Sequence, residues 1–352
     1  MAFMLSHVGT IINWYRENTF DTFSMIGYTS IFYVLTAFFV VRFGFGRSIY
    51  LSQTFSNSER KSSFILWTLF PSQFYTGRTI RRDFALFCFN YLVLTSLFST
   101  FLTPVEFNEL AEVIAAAVLN FIFYSFGHIK IPFSNGYGTD LVYTLSLYLA
   151  FEAGKYFIHV LLHQIPMLWE FHKIHHSAKS LNIITNFRAH FFEILLSNIV
   201  TGSLTAAVMV GFKYLFAVSP SQLTIAGSSA CYLITLTWTS LQHSHLWWSM
   251  GKIEYFANSP AMHLLHHSTN PKHFNSNYGS SLSLWDSVFG TLRRSTDSPP
   301  QNLEFGVDDG IDWESVSIWK FYYLPIVMCY RLVEKPLIAK DVKKSHQDRD
   351  VA

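Results

Sequence analysis

Residues 169–177 read WEFHKIHHS and set His172, His175 and His176 at i, i+3 and i+4. On an α-helix that spacing brings three imidazoles out of one face. The stretch therefore predicts a helix whose inner face is made of nitrogen donors. The spacing returns in MHLLHHS, 262–268, as His263, His266 and His267. His159 and His163 stand upstream of the first triplet at i, i+4, and His243 stands upstream of the second. Twelve of the 15 histidines fall between 159 and 273, so they belong to one feature rather than to a scattered surface.

Histidine is the commonest side-chain metal ligand, and repeated helical spacing converges several rings on one point. Nine imidazoles are too many for one ion, since zinc takes about four and octahedral metals about six. Two metals with roughly four or five ligands each is the simpler count. Imidazole suits Zn, Cu, Fe and Ni, so ligand type leaves the metal open. His190 reads equally as a ligand or as outer support. His245, two residues from His243, points off that helix face. His7, His128, His273 and His346 read as structural or solvated. Metal-bound histidines usually hand their other N–H to a carboxylate or carbonyl, and Glu170, Glu193 and Asp286 are candidates for that task.

Half of the 352 residues are hydrophobic, 18% are aromatic and only 14% are charged. Soluble domains carry about 25% charged residues, so the composition points to a membrane protein. A net charge of +2 without a dense basic run gives no nucleic-acid signal. Cys88, Cys231 and Cys329 are far apart, which excludes a thiolate zinc site and a disulfide framework. Arg16, Glu17 and Asp21 argue against a cleaved signal peptide at the start of the chain.

The predicted architecture is all-α: a membrane helical bundle with a cytosolic helical cap carrying a dimetal site. Residues 1–137 read as membrane helices with a basic cytosolic loop, 138–295 as the catalytic domain, and 296–352 as a polar extension. Apolar runs at 22–44 and 84–103 are expected to span, and 45–82 is basic and so cytoplasmic. The runs 139–158, 191–218 and 221–242 follow, the last two as a hairpin leaving the histidine side and returning to it. The parity of crossings makes 107–127 re-entrant or interfacial. Residues 315–332 hold Lys320 and Pro325 and read as interfacial, and the charged tail after Lys335 as mobile. Glu152 and Lys155, at i, i+3 in an apolar run, read as an ion pair at the helix end or as functional charges.

The stretches HVLLHQIPMLWEFHKIHHSAKSLNIITNFRAHFFEILLS (159–197) and PAMHLLHHSTNPKHFNSNYGSSLSLWDSVFGT (260–291) resemble the fatty acid hydroxylase superfamily, in its sterol desaturase-like branch. The resemblance covers about residues 138–295. It implies a membrane oxygenase with two iron ions, zinc being a possible replacement in a purified sample. It implies the metal ligands His159, His163, His172, His175, His176, His243, His263, His266 and His267. Arg188, His190 and Glu193 match an RxH…E element, which favours this branch over the alkylglycerol branch. Asn277, Tyr278, Trp285 and Asp286 match the C-terminal pattern. Val160, Phe191 and His245 depart from it, which bears on substrate and outer support rather than on ligands.

The implied activity is O2-dependent hydroxylation or desaturation of a lipid C–H position. The implied partners are the lipid, O2, the membrane and a separate cytochrome b5-like or ferredoxin-like electron donor. The implied location is the endoplasmic reticulum or a bacterial inner membrane, with the metals on the cytoplasmic side. Two other classes weigh less. A zinc hydrolase or isomerase lacks an HExxH glutamate, and a transporter would place its histidines inside the spans rather than at their ends.

Overall fold

A proline fixes where the first long helix beside the histidines ends. Ile165 is extended (φ −95°, ψ 113°), as a residue before proline prefers, and Pro166 opens the next helix. In chain order the helices are α1 (Arg78–Phe101), α2 (Tyr137–Gln164), α3 (Pro166–His176), α4 (Phe191–Leu215), α5 (Ala230–Gln242), α6 (Pro260–His266), α7 (Leu284–Phe289) and α8 (Ile318–Gln347). This computed structural model describes residues 49–51, 77–101, 113, 117, 120, 121, 124, 136–215, 220–225 and 228–347. The expected span at 22–44, His7, His128 and most of 45–82 and 107–127 lie outside them.

The fold is mostly helical. Two short antiparallel pairs depart from an all-α reading: β1 (Ile49–Leu51) on β4 (Leu246–Trp248), and β2 (Thr224–Ile225) on β3 (Ser228–Ser229). Among the described residues two helices are long and apolar enough to cross a membrane: α2, with 28 residues, and Phe191–Phe212 of α4, with 22. They pack side by side. At Gly154 a Cβ would stand 2.9 Å from Thr201 Cα, so only a hydrogen there lets the backbones approach so closely. On the opposite face of α2 Leu141, Leu145 and Leu149 are exposed, the apolar surface a lipid-facing helix needs.

Three expectations are corrected. Residues 221–242 do not form one apolar run: a strand pair precedes α5, whose 13 residues span only about 20 Å against a core of about 30 Å. It still returns to the histidine side, since His243 is its C-cap. The segment 315–332 is not simply interfacial. α8 runs through Pro325 and packs on α3, with Leu86, Ile174, Trp313 and Phe321 in one buried cluster, although Trp319, Tyr323 and Tyr330 remain exposed. Nor does helical order end at Lys335, because α8 continues to Gln347.

Candidate metal centre

The turn at Ile165–Pro166 lays α3 across the end of α2. His159 and His163 on α2 then face His172 and His176 on α3, with ring centroids 4.8–4.9 Å apart for His159–His172, His163–His172 and His163–His176. Ser259 caps α6 by accepting from the Met262 N–H, with Pro260 behind it. That helix brings the second triplet onto the first: His176 and His267 stack at 4.4 Å, and His176 and His266 lie 4.8 Å apart. The two distant segments meet.

All nine candidate ligands gather, and they divide into two groups. His159, His163, His172, His176 and His266 form one; His175, His243, His263 and His267 form the other. Within each group the donor atoms lie within 4.8 Å of one another. Burial holds the rings outside the two long helices neutral. It presses His172, His175, His176, His263 and His267 well below the usual imidazole range, and His243 and His266 down to about 4.

In four of the nine rings the hydrogen bonds then fix which nitrogen is bare. Carbonyl oxygens only accept, so a ring nitrogen facing one must donate. His159 Nδ1 donates to Tyr278 O at 2.8 Å, and His266 Nδ1 to Ser276 O at 2.7 Å. His175 Nδ1 donates to Arg188 O at 3.1 Å, and His243 Nδ1 to Thr239 O at 2.7 Å. Each of these neutral rings therefore points an unprotonated Nε2 inward. In the group of five, all five Nε2 atoms are buried without a hydrogen-bond partner. In the group of four, Nε2 of His243 lies 3.1 Å from that of His175, two lone pairs facing each other. Contacts of 3.0 and 3.1 Å continue to His263 and His267. Without a cation the His175–His243 contact is repulsive. Nitrogens about 2.0–2.1 Å from one metal ion stand roughly 3.0–3.4 Å apart, so the four-histidine group has the spacing of a coordination sphere.

The outer supports are partly those the sequence suggests. Glu193, in the first turn of α4, accepts from His172 Nδ1 at 2.8 Å. Asp286 does not touch a ring. It accepts from Tyr278 N (2.8 Å), Gly279 N (2.7 Å) and Thr291 Oγ1 (2.7 Å), and so holds the loop whose carbonyls grip His159 and His266. Asn275 and Asn277 adopt φ of 56° and 58° in that loop, a conformation asparagine tolerates. Asn277 is buried and bonds Met262 O and both backbone atoms of Arg293. Tyr278 and Trp169 cover the five-histidine group with their rings.

Others act differently from expectation. Glu170 reaches no histidine; it pairs with Lys173 one turn on, which also meets Asp309. His190 is in neither group: Nδ1 accepts from Phe192 N at 3.0 Å and Nε2 faces Tyr322 O at 3.2 Å, so both nitrogens serve backbone. His245 is buried and also outside both groups. Glu152 makes no ion pair with Lys155 but accepts from Thr235 Oγ1 and the Ser281 and Leu282 N–H groups, clasping the second loop to α2. Asp83 was not anticipated. Fully buried at the start of α1, it pairs with Arg188 at 2.9 Å and takes Asn182 and Thr185 on its other oxygen. Its one sequence signal is an acid next to Arg81 and Arg82, at the threshold of an apolar run.

A cavity of about 480 Å³ opens against both groups, lined by His159, His172, His175, His243 and His263. Phe87, Phe151, Ile158, Leu162, Ile194 and Leu236 make its lining largely apolar. Its size suits a small-molecule or lipid-segment site.

Comparison with known proteins agrees with this geometry. The fatty acid hydroxylase family model matches residues 144–291, which contain all nine histidines. Alkylglycerol monooxygenase of Xenopus tropicalis is 29% identical over 145 residues, 41% of this chain and 29% of that protein. Ornithine lipid hydroxylase OlsE of Rhizobium tropici is 31% identical over 43% of this chain and 40% of its own length. Delta(7)-sterol 5(6)-desaturase of Candida dubliniensis is 28% identical over 56% of this chain and 45% of its own. The chain thus spans less than half the length of these relatives, and they include both the alkylglycerol and the sterol desaturase branches. No solved structure matches significantly.

Proposed function

We propose that this fatty acid hydroxylase-domain protein is an O2-dependent membrane di-iron oxidoreductase that hydroxylates or desaturates a C–H position of a lipid. The observation that carries the reading is the convergence of nine buried imidazoles into two groups of mutually facing ring nitrogens beside an apolar cavity. His159, His163, His172, His176 and His266 would hold one ion, and His175, His243, His263 and His267 the other. A bound iron pair supplies the redox chemistry that activates O2 toward an unreactive C–H bond.

The chain's own residues do the rest. Neutral imidazoles add no negative charge, so the ions stay electrophilic. Backbone carbonyls and Glu193 fix the tautomer and aim of each ring they touch. The apolar lining admits a lipid segment and excludes bulk water. The histidines lie at one end of the α2–α4 pair, where a lipid can slide in from the bilayer. That end is assigned to the cytoplasmic side of the endoplasmic reticulum or a bacterial inner membrane. Electrons come from a separate cytochrome b5-like or ferredoxin-like protein. Hydroxylation and desaturation share hydrogen abstraction as their first step.

The test joins metal analysis to lipid profiling. Two irons per chain, and a lipid product that appears with wild type and vanishes in the His175→Ala/His266→Ala double variant, support the proposal. Unchanged product in that variant overturns it.

A further inference from the structure

Several polar atoms lining the cavity are left over by the metal centre, among them Lys155 Nζ, Glu193 Oε2 and Gln242 Oε1. Lys155 sits on α2 one turn before His159, about 6 Å along the axis, and lines the cavity. Among the described residues it makes no hydrogen bond, and no carboxylate oxygen lies within 4.0 Å of it; the Phe151 ring lies 5.7 Å away, and the Glu193 and Glu152 carboxylates attract it only from farther off. A lysine amine in a membrane-spanning helix with no hydrogen-bond partner is costly and commonly functional. Glu193 lines the same cavity, and its Oε1 is used by His172 while its Oε2 is buried without a partner. The obvious alternative, that Lys155 serves Glu152, fails on distance: no N···O separation between them is within 4.0 Å, and the Glu152 carboxylate is turned to Thr235 Oγ1 and the Ser281 and Leu282 N–H groups.

An unused donor and an unused acceptor therefore face one apolar cavity beside the metal ligands, too far apart to satisfy each other. The geometry points to a clamp for a lipid hydroxyl, with Lys155 donating to its oxygen and Glu193 Oε2 accepting its proton. A hydroxyl fits because it both donates and accepts. A carboxylate head would satisfy Lys155 but set its charge against Oε2, and a bare hydrocarbon satisfies neither. This inference rests on the oxygenase reading only for what happens next: the clamp adjoins His159 and His172, so the oxidised carbon lies near the hydroxyl end of the lipid rather than at its tail.

The test is a competition assay with purified, iron-loaded protein in detergent and tritiated hexadecanol as the probe. Unlabelled hexadecanol is expected to compete at least about tenfold better than hexadecane or palmitate, with 1-methoxyhexadecane between, since it accepts but does not donate. Lys155→Met should reduce hexadecanol to the level of hexadecane, while Lys155→Gln, which keeps a donor, retains part of the preference. Equal competition by hexadecane and hexadecanol at wild type overturns the clamp without needing any variant to fold. So does palmitate outcompeting hexadecanol, or a Lys155→Met protein with full iron that keeps the preference. Iron content measured on the same samples separates the two readings: hydroxyl preference in a protein that takes up no iron supports the clamp and sinks the oxygenase.

Discussion

Replacing Asp286 by Asn tests whether the two histidine groups are supported separately. Asp286 accepts three hydrogen bonds, and the loop it holds presents Tyr278 O to His159 and Ser276 O to His266, both in the five-histidine group. The four-histidine group takes its known ring supports from Arg188 O and Thr239 O, which lie elsewhere. In the Asn variant the amide oxygen can keep Tyr278 N and Thr291 Oγ1, but the NH2 then faces the Gly279 N–H. One charge-assisted bond is lost, about 1.5–3 kcal/mol, and a buried donor is orphaned, about 1–3 kcal/mol. Loss of such an outer support typically weakens metal binding about 10–100-fold, or roughly 1.4–2.7 kcal/mol, which is within that range. Metal-free protein titrated with Zn2+ against a competing chelator should show two binding events in wild type. In Asp286→Asn one should weaken about 10–100-fold and the other change less than about threefold. Equal weakening of both, or of neither, refutes the argument.

Further outcomes follow from the same contacts. His190→Gln should retain two metals per chain by elemental analysis while His175→Ala loses one, because the His190 nitrogens serve Phe192 N and Tyr322 O. Asp83→Ala leaves the fully buried Arg188 with Glu314 at 3.6 Å as its only carboxylate among the described residues, and should cost about 3 kcal/mol or more in a melting experiment. Without metal, stability should fall as the pH drops from about 6.5 toward 4. Burial holds folded His243 and His266 at about 4, whereas unfolded rings take up protons near 6.5, so acid favours the unfolded chain. A melting temperature that is flat or rises over that range contradicts the assignment.

Local spacing already placed eight of the nine histidines, since i, i+3 and i+4 positions share a helix face wherever the helix lies, while the isolated His243 came from the family resemblance. Composition supplied the membrane character of α2 and α4, because lipid-facing helices need apolar stripes. The sequence could not say how the rings divide. His175 and His176 are neighbours in the chain yet fall in different groups, and His266 joins the group drawn mainly from α2 and α3. That partition depends on where α6 docks. The outer supports were hidden for a related reason. His159, His175, His243 and His266 are held by main-chain carbonyls, which every residue carries and no motif marks. Asp83 meets Arg188 across 105 positions, and Glu152 meets Ser281 across 129. Residue type and spacing fix what a short segment can offer; only the packing of distant segments decides which buried lone pairs are left facing one another.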